Sequence, residues 1–553
     1  MPSENSNSPP PRHRSRSRSR SRSRTSRARR LVLLGLTLAL LSVAPLPAAV
    51  DIQLGLNFTG STSGVDVFAN PADANGAIGP AHYVEFINGR FAVYNKATGA
   101  RLLGKSDEAF WADAGVALPG GFGVSDPRLI FDPTVGRWFA AQIDYNTSSD
   151  NLGNRCLLAV STTADPTAAW HAVAFVPSAN HFTDFPTLGI NADALLIGGL
   201  LFDSKRDAVG SVLVAISKSD LLTTTPTVAN RTTFTPLPEA THGFILHPAI
   251  HLDSAPGDAT ILSIPTDGYD FQPQTNLLRF TIQNAAAPGA ATLSVASPIP
   301  VPAFNIPINP PQPNNITNLD DGDSRFSSAI SQAGNLLYAV HGAQINSRAA
   351  LQWFKINATD GTLLQSGTIT HTNLHFFYPA IAASTNGFVV IAFNGCSASS
   401  FVSSYAVAAD TVQGSTTFGP PVLLKAGVAT YSAPTSDGTS RWGDYSAINV
   451  APADPTRFWT IQMVVTARDE WSTQITELRL ITRPTLTVAR AANNTATVTW
   501  PATAASFRLE ANTNLALPAA WSPFPQTPVT NAGTLSVTFP PSGLQQFFRL
   551  KIP

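Results

Sequence analysis

The sequence predicts an all-β protein, a seven-bladed β-propeller followed by a small antiparallel β-sandwich. Three observations carry this expectation: a strand-starting unit that recurs seven times, short β-rich runs after each copy, and a composition that disfavours long surface helices. Of 553 residues, only 13% are charged while 44% are apolar. About 25% charged is usual for soluble domains. Ser, Thr, Asn, Gly and Pro fill the gap, a mixture that suits strands joined by many turns. A chain of this length needs a modular fold to bury its apolar residues.

The recurring unit is clearest in His247-Pro248-Ala249-Ile250, Ser327-Ser328-Ala329-Ile330, Tyr378-Pro379-Ala380-Ile381 and Tyr445-Ser446-Ala447-Ile448. Looser copies are Asp126-Pro127-Arg128-Leu129, Phe185-Pro186-Thr187-Leu188 and Asn75-Gly76-Ala77-Ile78. The anchors fall at residues 76, 127, 186, 248, 328, 379 and 446, at intervals of 51, 59, 62, 80, 51 and 67. From Asp126 the chain reads DPRLIFD, RWFAAQIDY, RCLLAVSTT and WHAVAFVP. Four strands in such an interval is the size of one blade. The first strand of each set is rich in small residues, as a crowded central channel requires. The second is a nearly continuous apolar run (ALLIGGLLF, FVVIAF, FWTIQMVV), as burial between sheets requires.

The seventh unit stops after three strands, at Pro484. The segment IQLGLNF at 52–58 is expected to supply the fourth, closing the ring and removing its edges. The 80-residue interval carries PVPAFNIPINPPQPNNITNLDDGD, expected as a long surface loop. Residues 484–553 are expected to form the separate sandwich, of fibronectin or immunoglobulin type, with Trp500 in its core. The propeller would span 50–483.

Residues 1–49 read as an export signal. Ten of the 35 Lys+Arg lie in the first 30 residues, ahead of the apolar run LVLLGLTLALLSVAPLPAA. Pro45 and Pro47 oppose a continuing helix, so no stable membrane span is expected after cleavage near residues 48–50. The expected location is extracytoplasmic: secreted, periplasmic or at the cell surface. The remaining body has 25 basic and 34 acidic residues, a net charge near −9 that excludes phosphate-backbone binding as a function. Export permits a disulfide, but Cys156 and Cys396 fall in different blades, and two buried free thiols are an equal expectation.

Residues just before each first strand should gather at one rim of the channel: Asp126, Asp184, His247, Arg325, Tyr378, Arg441 and Asp444. Asp444, Asp126 and Asp184 are candidate catalytic carboxylates, because paired carboxyls serve as acid and base in glycoside hydrolysis. Arg441 and Arg325 are candidates for holding a substrate carboxylate, with His247 and Tyr378 beside them. Each also has a structural reading: an Asp before Pro in a strand-starting turn binds backbone N–H groups. Asp320, Asp321 and Asp323 flank Gly322 in an acidic turn that is a possible Ca²⁺ site; no other cofactor is expected. No phosphate loop, nucleophile elbow or His-Glu-x-x-His occurs.

Three segments carry a family resemblance: NGAIGPAHYVEFINGRFAVYNKATG, DPRLIFDPTVGRWFA and SRWGDYSAINVAPADPTRFWTIQ. Over roughly residues 70–480 the chain resembles uncharacterised secreted bacterial β-propeller proteins grouped with sialidase-like folds. The C-terminal SFRLEANTNLALPAAWSPF resembles accessory modules of secreted bacterial proteins. The resemblance implies the fold. The sialidase Asp box, Ser-x-Asp-x-Gly-x-Thr-Trp, is absent. On the sequence alone, a non-enzymatic module binding an extracellular glycan, protein or surface is the leading expectation. An extracellular sialidase-like glycoside hydrolase using the rim is the alternative.

Overall fold

The computed structural model describes residues 50–147, 152–253, 257–411, 414–436, 438–491, 493–515, 520–543 and 545–551. The expected export signal lies outside the described residues. Among the described residues the chain is nearly all-β, with three short α-helices, and no helix is long and apolar enough to cross a membrane.

Between residues 50 and 482 the strands form four antiparallel sheets of four strands and one sheet of thirteen, the thirteen falling into three antiparallel sets joined by short parallel bridges. Their first strands are Gly76–Ile78, Phe122–Asp132, Phe182–Ile190, Phe244–His251, Ile330–Ala333, His375–Ala383 and Ala447–Ala451. These seven lie against one another in cyclic order, and Ala447–Ala451 returns to Gly76–Ile78. Short parallel bridges join the first strands of the third, fourth and fifth sets, at Ile190 with Ile250 and Ala249 with Ile330. The seventh set is completed from the other end of the chain. Val50–Thr62 pairs antiparallel with Glu470–Thr482, Val50 opposite Thr482 and Thr62 opposite Ser472.

Each junction between successive sets is an apolar layer. Phe86, Phe91, Trp138 and Trp170 fill the first with the helix Asp107–Asp113, which inserts Phe110 and Trp111. Val160, Leu195 and Val214 belong to the second, Leu246 and Phe280 to the third, Ile264 and Phe354 to the fourth. Trp353 with Phe393, Val390 with Leu478, and Tyr83 with Trp459 continue the series to the return junction. Second strands are therefore buried on both faces, which explains their unbroken apolar spelling: every residue of Phe388–Ser397 is buried. Burying one such Phe or Leu contributes about 1.5–3 kcal/mol.

Hydroxyls at the repeated anchor join neighbouring sets. Thr187 Oγ1 donates to the Leu246 carbonyl at 2.7 Å, Ser327 Oγ to Pro379 at 3.0 Å, and Ser446 Oγ to Tyr378 at 2.9 Å. The return junction is held by Glu85, which is fully buried. It accepts from Ser61 N (3.1 Å), Ser61 Oγ (2.7 Å), Tyr94 OH (2.8 Å) and Thr473 Oγ1.

Three expectations need correction or completion. The anchor is not a simple turn: in four sets it is a β-bulge, between Ser125 and Arg128, Asp184 and Thr187, Phe244 and His247, and Phe377 and Ala380. The Pro/Asn insertion is not a loose surface loop. Leu319 and Gln312 are buried, and Gln312 is bonded in both directions to the backbone of Tyr431. Its amide, not its prolines, fixes the segment. Cys156 and Cys396 are buried free thiols.

Residues 486–551 form two further sheets. One orders Thr487–Arg490, Ala496–Pro501, Thr534–Phe539 and Val529–Asn531; the other orders Ser522–Pro523, Arg508–Asn512 and Phe547–Lys551. Trp500, Val498, Leu509, Val537 and Phe539 share one core between them.

Candidate functional site

The bulges set the site. At Asp126, Phe185, Ile245 and Tyr378 the backbone adopts φ of 63, 47, 57 and 46°, a region disfavoured for any residue with a Cβ. Each costs about 1–3 kcal/mol and re-aims the side chains beside it. Three of these residues belong to the repeated anchor. Pro127, Pro186 and Pro379 occupy the bulges, where a missing ladder N–H does no harm.

One end of the channel thereby collects four carboxylates, Asp73, Asp126, Asp184 and Asp444. Asp73 and Asp126 are buried and serve the backbone. Asp73 Oδ1 accepts the Asp444 N–H at 2.9 Å, and its Oδ2 accepts from Asn88 Nδ2 at 2.9 Å. Asp126 accepts from Ser125 Oγ at 2.8 Å and from the Phe185 N–H at 3.1 Å. Asn88 Oδ1 in turn takes the Asp126 N–H at 2.9 Å. Burial, then the Asp444 and Asp126 charges, holds the Asp73 carboxyl well above the usual range; burial and Asp444 raise Asp126.

Asp184 and Asp444 are half-buried, so solvent reaches both. Burial pushes Asp184 up to about 7, with the Asp126 and Asp444 charges adding and Arg325 opposing. Asp444 is ion-paired to Arg441 at 2.7 Å. Arg441 also reaches Asp320 at 3.3 Å. Although burial works against the Arg441 charge, Asp444, Tyr378 and Asp73 hold it firmly protonated. Trp442, buried and bonded through Nε1 to Asn394 Oδ1 at 3.1 Å, anchors this loop and leaves Arg441 and Asp444 on either side.

The insertion delivers the rest. Asp320 N donates to the Ser440 carbonyl at 2.9 Å, and Ser440 N to Asn318 at 2.8 Å. Arg325 holds Asp323 through Nε at 2.8 and 2.9 Å and stacks over Phe185 at 4.5 Å. Burial raises the Tyr378 hydroxyl, with Asp320 and Asp444 adding, and burial with Arg128 and Arg325 lowers His247 far below its usual value. His247 is thus a neutral imidazole beneath the charged layer.

All seven rim candidates therefore stand in one electrostatic neighbourhood. Two expected roles do not fit the geometry. Arg325 and Arg441 are already engaged by Asp323, Asp320 and Asp444, so neither offers a free fork to a substrate carboxylate. The acidic turn does not form a cation cage: Asp323 is spent on Arg325 and Asp320 on Arg441. Among the described residues no group of three His, Cys, Asp or Glu side chains is placed to hold a metal ion. Asp321 is buried, its carboxyl raised by burial and by Asp320.

Sequence reasoning missed Asp73, Arg128, Tyr269 and Glu239. Asp73 stands three residues ahead of its anchor, against one for Asp126 and two for Asp184 and Asp444, although its φ of 49° is positive like that of Asp126. Arg128 is spelled as a strand residue; its guanidinium lies 3.5 Å from the Tyr445 ring centroid, and its Nε donates to Pro186 at 2.7 Å. Tyr269 and Phe271 are 56% and 71% exposed. Burial, Asp323 and Asp320 push the Tyr269 hydroxyl up to about 12, and burial, Asp267, Asp270 and Asp323 raise the Glu239 carboxyl, so both residues sit beside the mouth.

No protein-family model matches the chain, and no curated protein sequence matches it. Solved structures offer distant likenesses. A protein of unknown function from Dyadobacter fermentans is 10% identical with a TM-score of 0.35, covering 66% of this chain and 96% of its own. The Penicillium chrysogenum α-L-arabinanase complexed with arabinobiose is 10% identical with a TM-score of 0.38, covering 77% and 98%. Trypanosoma rangeli sialidase is 10% identical with a TM-score of 0.33, covering 82% and 77%. At such scores these likenesses decide neither ligand nor reaction.

Proposed function

We propose that residues 50–483 are a seven-bladed β-propeller that carries a C-terminal β-sandwich and acts outside the cytoplasm on glycans, cleaving a glycosidic bond at the channel mouth. One observation carries this reading. Asp184 and Asp444 are both reachable from solvent, lie within each other's field, and have opposed environments: one lifted to about 7, the other ion-paired to Arg441. A carboxyl lifted by burial and like charge, set beside one that is ion-paired, can supply the acid of such a pair. Neutral Asp184 would give its proton to the departing glycosidic oxygen. Asp444 would face the positive charge that develops on the sugar ring, and a solvent water would add to the anomeric carbon and release its proton to complete the hydrolysis. The exposed rings of Tyr269 and Phe271 offer flat apolar surface beside a polar mouth, a combination suited to a sugar with one apolar face.

Recognition of a glycan without turnover is the second reading. It is favoured by Asp73 and Asp126, whose carboxylates are occupied by backbone N–H groups. A screen of polysaccharides and aryl glycosides for released reducing ends separates the two. Hydrolysis by the wild type that falls at least 100-fold in Asp444→Asn, with the melting temperature kept, supports cleavage. Binding of the same glycans with no release by either protein sinks it.

A further inference from the structure

The channel itself, below the mouth, contains unsatisfied polar groups. Its cavity of ≈ 320 Å³ is lined by the first strands of all seven sets. Five lining residues hold a buried polar atom with no hydrogen-bond partner: Asn75 Oδ1, Arg128 Nη2, His247 Nε2, Ser328 Oγ and Asn449 Oδ1. Arg128 is 5% exposed and His247 2%. Arg325 and Arg441 have carboxylate partners, but among the described residues Arg128 makes no ion pair. Its Nε is satisfied by Pro186, and its face by Tyr445. Nη2 is left over. A buried charge with an open donor is strongly unfavourable unless something completes it. Asp126, two residues away, turns its oxygens to Ser125 and Phe185 instead. The same cavity is also lined by the apolar residues Leu129, Ile330, Ile381, Ile448 and Val450.

We propose that the axial channel binds a small monocarboxylate, its carboxylate group meeting Arg128 Nη2, His247 Nε2 and Ser328 Oγ and its hydrocarbon part lying against these apolar walls. The guanidinium supplies charge, the neutral imidazole and the hydroxyl supply directed hydrogen bonds, and the cavity has the volume of a small-ligand site. The proposal does not rest on glycosidic cleavage: it uses other residues, and its test measures binding alone.

The test is calorimetric titration of the full chain with acetate, butyrate, hexanoate and benzoate, with hexanol, chloride and phosphate as comparison probes. Expected is saturable 1:1 binding of hexanoate or benzoate, at least tenfold tighter than acetate, and none of hexanol. Arg128→Gln should weaken it at least tenfold. Arg128 also supports Tyr445, so Ser328→Leu, which narrows the channel without touching a charge, provides the second arm. It should weaken hexanoate while the melting temperature stays within a few degrees. No carboxylate binding, equal binding of hexanol, binding of chloride or phosphate in preference, or hexanoate affinity unchanged in Ser328→Leu would each overturn the proposal.

Discussion

Two carboxylates of this chain, one buried and one half-buried, have opposite fates. Glu85, where the last set meets the first, is surrounded by four donors and has no acidic neighbour among them. Asp184, at the channel mouth, faces Asp126 and Asp444 and is pushed up to about 7. The same functional group is a structural fastener in one place and, in the proposed function, a proton carrier in the other. The company each carboxyl keeps differs: donors from neighbouring sheets surround Glu85, whereas the like charges of Asp126 and Asp444 face Asp184.

The contrast can be broken most severely at Glu85. Replacing it with Ala leaves several buried donors unpaired across the closure, and should cost about 3 kcal/mol or more in urea unfolding, with Glu85→Gln costing roughly half. If the Ala variant unfolds within about 0.5 kcal/mol of wild type, Glu85 does not fasten the ring.

At the mouth the effect is on chemistry and on pH. Because the folded Asp184 value lies above an unfolded value near 3.9, the folded chain binds its proton more tightly. The resulting stability is fully present below about pH 4 and is lost as pH rises through about 7. Solvent reaches this carboxyl, so the change should be about 1–2 kcal/mol and not the full shift. Unfolding midpoints measured from pH 5 to 8 should therefore decline, and Asp184→Asn should flatten the decline. An unaltered pH profile in that variant would remove Asp184 from this role.

A smaller effect is expected at Asp323. Its removal as Asp323→Asn takes away the bidentate partner of Arg325 and should cost about 1 kcal/mol in unfolding. The freed guanidinium should then add affinity for anionic ligands at the mouth. An affinity that does not rise would mean that Arg325 stays engaged elsewhere.

Much of this architecture is legible in the chain. The Ala-Ile segments mark the first strands, because only small residues and bulk turned sideways suit a crowded axis. The IQLGLNF run betrays the closing strand, since it alternates beside a set that lacks its fourth member. The bulges are not legible: nothing in Asp126-Pro127 or Tyr378-Pro379 announces a positive φ without glycine, and the residue before proline ordinarily avoids that region. The burial of 305–328 is hidden for a related reason. Pro and Asn read as solvent-facing turn formers, while the segment is fixed by one glutamine reaching Tyr431, 119 residues away. The partnering of Arg325 and Arg441 also depends on that segment, which is why both looked free in the sequence.

The division of labour among these carboxylates is tested most directly by following the side-chain ¹³C resonances of aspartate-labelled protein through a pH titration, wild type beside Asp184→Asn. The expected result is a resonance titrating near pH 7 that vanishes in the variant. A wild type in which the Asp184 resonance titrates below about pH 5 would contradict the assignment of this residue as the proton carrier at the channel mouth.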